Sequence, residues 1–179
     1  MIIGIPKEIM DQEARVGATP QTVKSLIDDG HQVIVQKDCG IGSYFQDEHY
    51  RTVGAQVVED VRDLYQTADL IIKVKEPLFN ADYNMHEVDM MHANQYLISF
   101  IHPASPTNHN MVEKLAKQGV IALTLDGVPR ISKAQSMDAL TSMSTCAGYK
   151  GMLMAACECS DFLPQIFSAA GASKPAKVL

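Results

Sequence analysis

The sequence predicts an α/β protein: a mostly parallel, Rossmann-like (flavodoxin-like) sheet with helices on both faces, followed by a long C-terminal helix. Three observations predict it. Short apolar runs alternate with helical patterns from the N-terminus to about residue 125. The runs are apolar without polar alternation, as in Leu70-Ile-Ile-Lys-Val74, which is how strands covered on both faces read. The chain has 179 residues, 46% hydrophobic and 20% charged, which suits one good-sized domain and is too short for two large ones.

The elements follow in order. Residues 2–6, Ile-Ile-Gly-Ile-Pro, make a short buried strand, and the polar loop after it holds Glu8, Glu13 and Arg15. Thr19-Pro20 opens a helix, with threonine as N-cap and proline at the first helical position, and Gly30 closes it. Strands are expected over 32–36 and 54–58, with a short helix from Asp47 between them. A helix over 60–68 leads to a strand over 70–74, which stops at Lys75-Glu76-Pro77 because proline cannot donate to the ladder. The Met- and His-rich stretch 80–93 reads as partly helical. Strand 96–101 ends at His102-Pro103, a helix falls within 106–119, and a sixth strand covers 120–125.

The alternation then breaks. Val128 to Met143 opens the longest helix in the chain, expected over 133–158, with Ser132 as N-cap and Gln135 completing a capping box. On such a helix Gln135, Asp138 and Ser142 share one face, with Thr141 beside them and Arg130 at the preceding turn. A cation, an amide, a carboxylate and hydroxyls on one edge suit a ribose and a carboxamide. The small residues Ser144, Ala147, Gly148 and Gly151 suit close packing against another body. The last residues, Ala-Lys-Val-Leu179, read as the first half of another buried strand.

Composition removes several function classes. The net charge of −6 gives no footprint for nucleic acid or an anionic membrane, and no apolar run reaches the roughly 20 residues of a membrane helix. The four cysteines lack metal-site spacing and read as reduced thiols, so no metal is expected. There is no Gly-x-Gly-x-x-Gly, Walker loop or Gly-x-Ser-x-Gly; Gly40-x-Gly42 is not followed by a helix with a third glycine.

In open parallel sheets ligands bind beyond the carboxyl ends of the strands. Arg15, Lys75 and His102 fall there. Two cations suit a small carboxylate, and a histidine can move protons at neutral pH, a set that suits a 2-oxo or 2-amino acid. Each also has an ordinary reading: Arg15 pairing Glu13 or Glu8, Lys75 pairing Glu76, His102 ending a strand.

Ile3-Gly-Ile-Pro-Lys-Glu8, Arg15-Val-Gly-Ala-Thr-Pro20, Gly30-His-Gln-Val33, Gly54-Ala-Gln56, Ala68-Asp-Leu-Ile-Ile-Lys-Val-Lys-Glu-Pro77 and Ser99-Phe-Ile-His102 together resemble one family. It is the N-terminal domain shared by alanine dehydrogenases and the alpha subunits of NAD(P) transhydrogenases. The stretch Val128–Leu140, then Ala147-Gly-Tyr149 and Pro175–Leu179, is closer to the transhydrogenase branch. That branch implies that Arg130, Gln135 and Asp138 meet the nicotinamide end of NAD(H), with Thr141 standing where serine is usual. The other branch implies substrate and acid–base roles for Arg15, Lys75 and His102.

The resemblance further implies an α/β N-terminal domain over 1–130, a connecting helix over 131–160, and a tail over 161–179 leading into a missing NAD-binding Rossmann domain. NAD(H) is then expected to bind this chain weakly or not at all, with NADP(H) on a partner subunit. A homodimer, membrane and NADP-binding partner subunits, a small 2-oxo acid, and a cytoplasmic location beside the inner membrane are the remaining expectations. A transhydrogenase segment, an alanine dehydrogenase and a truncated, non-catalytic dimerising module stay open as alternatives.

Overall fold

The computed structural model describes residues 1–177, in two units: Met1–Val128 and the chain from Pro129 onward. In the first unit the apolar runs become β1 (Ile2–Ile5), β2 (Gln32–Gln36), β3 (Gln56–Val58) and β4 (Leu70–Ile72). Between them lie α1 (Pro20–Asp28), α2 (Asp47–Thr52) and α3 (Val61–Thr67). Thr19 caps α1 by accepting from Thr22 N, with Pro20 at the first turn, and Asp60 caps α3 by accepting from Arg62 N.

Stretch 79–90 is a small hairpin, β5 (Phe79–Asn80) with β6 (Met85–His86), running into the single turn α4 (Glu87–Met90). The Asn80 side chain accepts from Asp82 N to make the hairpin bend, and His86 Nδ1 accepts from Val88 N to start α4. The strands β7 (Tyr96–Ser99) and β8 (Ile121–Thr124) flank α5 (His109–Gln118), which ends on Gly119 in the left-handed region.

Six strands join in one sheet of order β3-β2-β1-β4-β7-β8, and all five pairings are parallel. This is the Rossmann-like 3-2-1-4-5-6 arrangement; among Rossmann-like sheets it differs from the flavodoxin-like 2-1-3-4-5 order. Its direction reverses between β1 and β4. One face is covered by α1 and α2, where Val23 and Tyr50 pack on Ile3, Ile5, Val33 and Val35. The other is covered by α3, α4 and α5, where Leu64, Tyr65, Met90 and Leu115 pack on Ile34, Ile71 and Leu97.

The second unit holds a 3-10 stretch (Ser132–Met137), α6 (Ala139–Glu158) and the hairpin β9 (Phe167–Ser168) with β10 (Gly171–Ala172). The long helix therefore starts six residues later than the capping-box reading places it. Asp138 caps it: Oδ1 accepts from Thr141 N at 3.0 Å and Oδ2 from Thr141 Oγ1 at 2.6 Å. A carboxylate with two local donors displaces Ser132 as the start signal of the α-helix. Gln135 and Asp138 consequently do not share one α-helical edge. None of the α6 residues is buried, and Tyr149, Leu153 and Met154 are exposed. The strand expected at Ala-Lys-Val-Leu179 falls in part on residues 178–179, outside the described range.

Candidate functional site

The sheet order places Glu8 and Arg15 after β1 and Lys73 to Lys75 after β4, the two strands that flank the reversal. The loop that carries Arg15 is held by close backbone approaches. A Cβ on Gly17 would lie 2.4 Å from the Ile72 carbonyl oxygen, and one on Gly42 2.7 Å from the Ala14 carbonyl oxygen. Ser43 Oγ donates to the same Ala14 oxygen at 2.8 Å. Gly42 and Ser43 thus seat the Arg15 loop.

Arg15 is half exposed and forks onto Glu13, with Nε donating to Oε1 at 2.7 Å and Nη2 to Oε2. This bond, ahead of opposing burial, holds the Glu13 carboxyl below its ordinary range; the charge of Lys75 adds to the same effect. Two cations therefore act on one carboxylate at the edge of the sheet. Lys75 Nζ also lies 3.8 Å from Glu76 Oε2. A cavity of about 250 Å³ beside this loop is lined by Lys7, Glu8, Glu13, Arg15 and Asp38.

Beneath it lies a buried charge cluster that sequence reasoning missed. Lys73 Nζ donates to both oxygens of Glu87, at 2.7 and 2.9 Å, and lies 3.7 Å from Glu8 Oε2. Glu87 also accepts from Tyr65 Oη at 2.9 Å and from Leu78 N at 2.9 Å. Glu8 accepts from Val74 N at 2.6 Å and Lys75 N at 3.3 Å, tying the β1 loop to the backbone of Lys75. Burial pushes the Glu8 carboxyl up, only partly offset by the Lys73 charge and these bonds. The signal was a lone lysine inside an apolar strand run, since a buried lysine needs a partner.

His102 follows β7 with φ +49°, in the left-handed region. Its Nδ1 lies 2.6 Å from Asp126 Oδ1, and its ring stacks on Phe100 with centroids 5.7 Å apart. Asp126 stands just past β8, the neighbouring strand, and was also missed. Burial raises its carboxyl, but hydrogen bonds from Thr124 and His102 N, with the His102 charge, bring it below its ordinary 3.8. Both residues line a cavity of about 350 Å³ with Pro103, Ser105, Thr124 and Gly127. The structure thus brings Arg15 to Lys75, through Glu13, and His102 to Asp126.

In the second unit, Arg130, Asp138 and Thr141 come together. The Thr141 hydrogen bonds, then the Arg130 charge, hold the Asp138 carboxyl below its ordinary range. The Gln135 side chain makes no hydrogen bond among the described residues, while the backbone carbonyl oxygen of Gln135 accepts from Asp138 N at 3.3 Å. A side-chain amide offers both a donor and an acceptor, so Gln135 has the groups that pairing with a carboxamide requires. Among the described residues no group of His, Cys, Asp or Glu forms a metal site, and no helix is long and apolar enough to cross a membrane.

Comparison with known proteins adds the following. The family described as alanine dehydrogenase/PNT, N-terminal domain, matches residues 4–147. The chain is 37% identical over all 179 residues to NAD(P) transhydrogenase subunit alpha of Cereibacter sphaeroides, covering 33% of that protein. It is 36% identical over 156 residues to alanine dehydrogenase 1 of Staphylococcus aureus (strain N315), 87% of this chain and 38% of the relative. The crystal structure of transhydrogenase from Sinorhizobium meliloti matches with a TM-score of 0.83 at 32% identity, over 98% of this chain and 48% of that one. The chain spans a third to about half the length of these relatives.

Proposed function

The chain belongs to the alanine dehydrogenase/PNT N-terminal domain family, and from that premise we propose that it is the N-terminal part of an NAD(P) transhydrogenase alpha subunit, forming one wall of the NAD(H) cleft. One observation carries the choice of branch: the match to the transhydrogenase subunit takes in the whole chain, and that to alanine dehydrogenase 1 takes in 87% of it. In this reading the Gln135 amide pairs with the carboxamide, Arg130 and Asp138 orient the nicotinamide ribose, and Thr141 steadies Asp138. Bound NADH supplies the hydride. The residues of this chain contribute position, since direct hydride transfer needs aligned reactants and no proton donor. NADP(H) sits on a partner subunit, and membrane-bound subunits complete the assembly. The exposed apolar surface of α6 suits a homodimer.

A second reading is supported by the first unit. Arg15 and Lys75 suit a substrate carboxylate, and the His102–Asp126 pair suits proton movement, which an alanine dehydrogenase needs and a transhydrogenase does not. The experiment is to assay the intact protein carrying this chain for hydride transfer from NADH to an NADP+ analogue and for alanine oxidation, each with and without His102→Ala. Transhydrogenation that stays within about threefold in the variant supports the first reading. Alanine oxidation that vanishes in the variant replaces it with the second.

A further inference from the structure

We infer that Asp126 is the positioning residue for His102: it fixes the imidazole as the Nδ1–H tautomer and leaves Nε2 as the working ring atom beside the 350 Å³ cavity. The argument begins with the acceptor. An ionised carboxylate can only accept, so the 2.6 Å contact with Oδ1 requires a proton on Nδ1. The same carboxylate is held from three other directions. Its Oδ2 accepts from Ile101 N at 3.0 Å, His102 N at 2.8 Å and Thr124 Oγ1 at 2.6 Å. Asp126 thus grips both the ring of His102 and the backbone that presents it. It stabilises a non-glycine residue in a left-handed conformation, which persists only where its surroundings over-determine it. Phe100 stacks on the ring and limits its rotation.

A strand cap with no further role would need only the two backbone donors. The ring contact adds a testable chemical consequence. In Asp126→Asn, Ile101 N and His102 N still demand an acceptor, so the amide carbonyl must face them. The amide –NH₂ then faces Nδ1, which becomes the acceptor, and the imidazole proton moves to Nε2. The tautomer inverts while the backbone bonds remain.

The test is long-range ¹H–¹⁵N NMR of the 179-residue chain labelled at histidine, at a pH where the ring is neutral, with the His102 signal identified by its loss in His102→Asn. The expected result is the Nδ1–H form in the wild type and the Nε2–H form in Asp126→Asn, with backbone amide signals outside the Phe100–Val128 region unchanged. An Nε2–H wild-type ring, or an unchanged tautomer in the variant, overturns the inference. Asp126→Glu serves as the conservative variant and is expected to retain the Nδ1–H form.

The consequence for catalysis rests on the alanine dehydrogenase-type reading. There, in the intact protein, Asp126→Asn lowers kcat for alanine oxidation by about 10²-fold or more with KM within about threefold, and Asp126→Glu restores part of it. If the tautomer inverts and the parent protein shows no alanine oxidation, the reaction assignment falls and the positioning role stands.

Discussion

Replacing Lys73 by methionine keeps the aliphatic stem and removes the ammonium group from the centre of a buried cluster. Lys73 is 2% exposed, Glu87 1% and Glu8 6%, so in the variant two carboxylates remain in the interior without their shared cation. Breaking one side of a buried ion pair costs about 3–5 kcal/mol. The lower end applies here, because Tyr65 Oη and Leu78 N still donate to Glu87, and Val74 N and Lys75 N to Glu8. With about 2.1 cal/mol/K of unfolding entropy per residue, the unit Met1–Val128 has about 0.27 kcal/mol/K, so a loss of about 3 kcal/mol lowers Tm by about 11 °C.

The deficit should also depend on pH, and its sign follows from Glu8. Its folded carboxyl is already raised by burial, and Lys73 is the largest influence opposing that rise. Removing Lys73 raises it further. A raised carboxyl destabilises the folded state while ionised, so the variant recovers stability as pH falls through the raised value. Thermal unfolding followed by circular dichroism at about pH 8 and about pH 5.5 reads both effects. Lys73→Met/Glu87→Gln, which neutralises one carboxylate while keeping its acceptor oxygen, should regain at least about half of the loss. A Lys73→Met loss below about 1 kcal/mol, or a deficit that does not change with pH, would refute the reasoning.

Two further outcomes are expected. The depressed Asp126 carboxyl contributes stability that is fully present above its ordinary value of 3.8 and lost as pH falls through its lower folded value. The Tm advantage of wild type over Asp126→Asn should therefore be present at about pH 5 and close below about pH 4, as read by acid titration of thermal melts. Gly17→Ala places a Cβ 2.4 Å from the Ile72 carbonyl oxygen, a backbone clash that no rotamer change relieves; it should cost about 1–3 kcal/mol in urea unfolding and shift the Arg15 loop.

The fold was legible where one signal decided the answer. Leu70 to Ile72 could only be a strand covered on both faces, and Thr19-Pro20 could only begin a helix, because nothing nearby competes with either. Legibility failed where two local signals compete or where the partner is distant. Ser132 and Asp138 are both good caps six residues apart, and the second wins through two bonds from Thr141 that a capping-box pattern does not weigh. The hairpin at Phe79–His86 has two residues in each strand, too few for a period of two to appear.

The candidate site shows the same division at the level of single side chains. Arg15, Lys75 and His102 could be picked out because ligands gather beyond the carboxyl ends of parallel strands, a rule that needs only the strand ends. Their near neighbours could be named as well, Glu13 for Arg15 and Glu76 for Lys75, but the distant groups could not, because Glu8 and Asp126 lie 67 and 24 residues from the backbone groups they accept from. Lys73 and Lys75 illustrate the limit: two residues apart in one run, one is sealed against Glu87 and the other faces the edge. Sequence spacing cannot rank them, because the carboxylate that selects Lys73 arrives on α4. Yet once the order β3-β2-β1-β4-β7-β8 is known, the partners follow by adjacency. The end of β1 sits beside the end of β4, which gives Glu8 to Lys75. The end of β7 sits beside the end of β8, which gives Asp126 to His102. In a parallel sheet every carboxyl end lies on one edge, so strand order alone decides which charged residues meet there. The pairing of His102 with Asp126 is therefore a property of the topology, and it should survive any repacking of the core that leaves the order of the six strands intact.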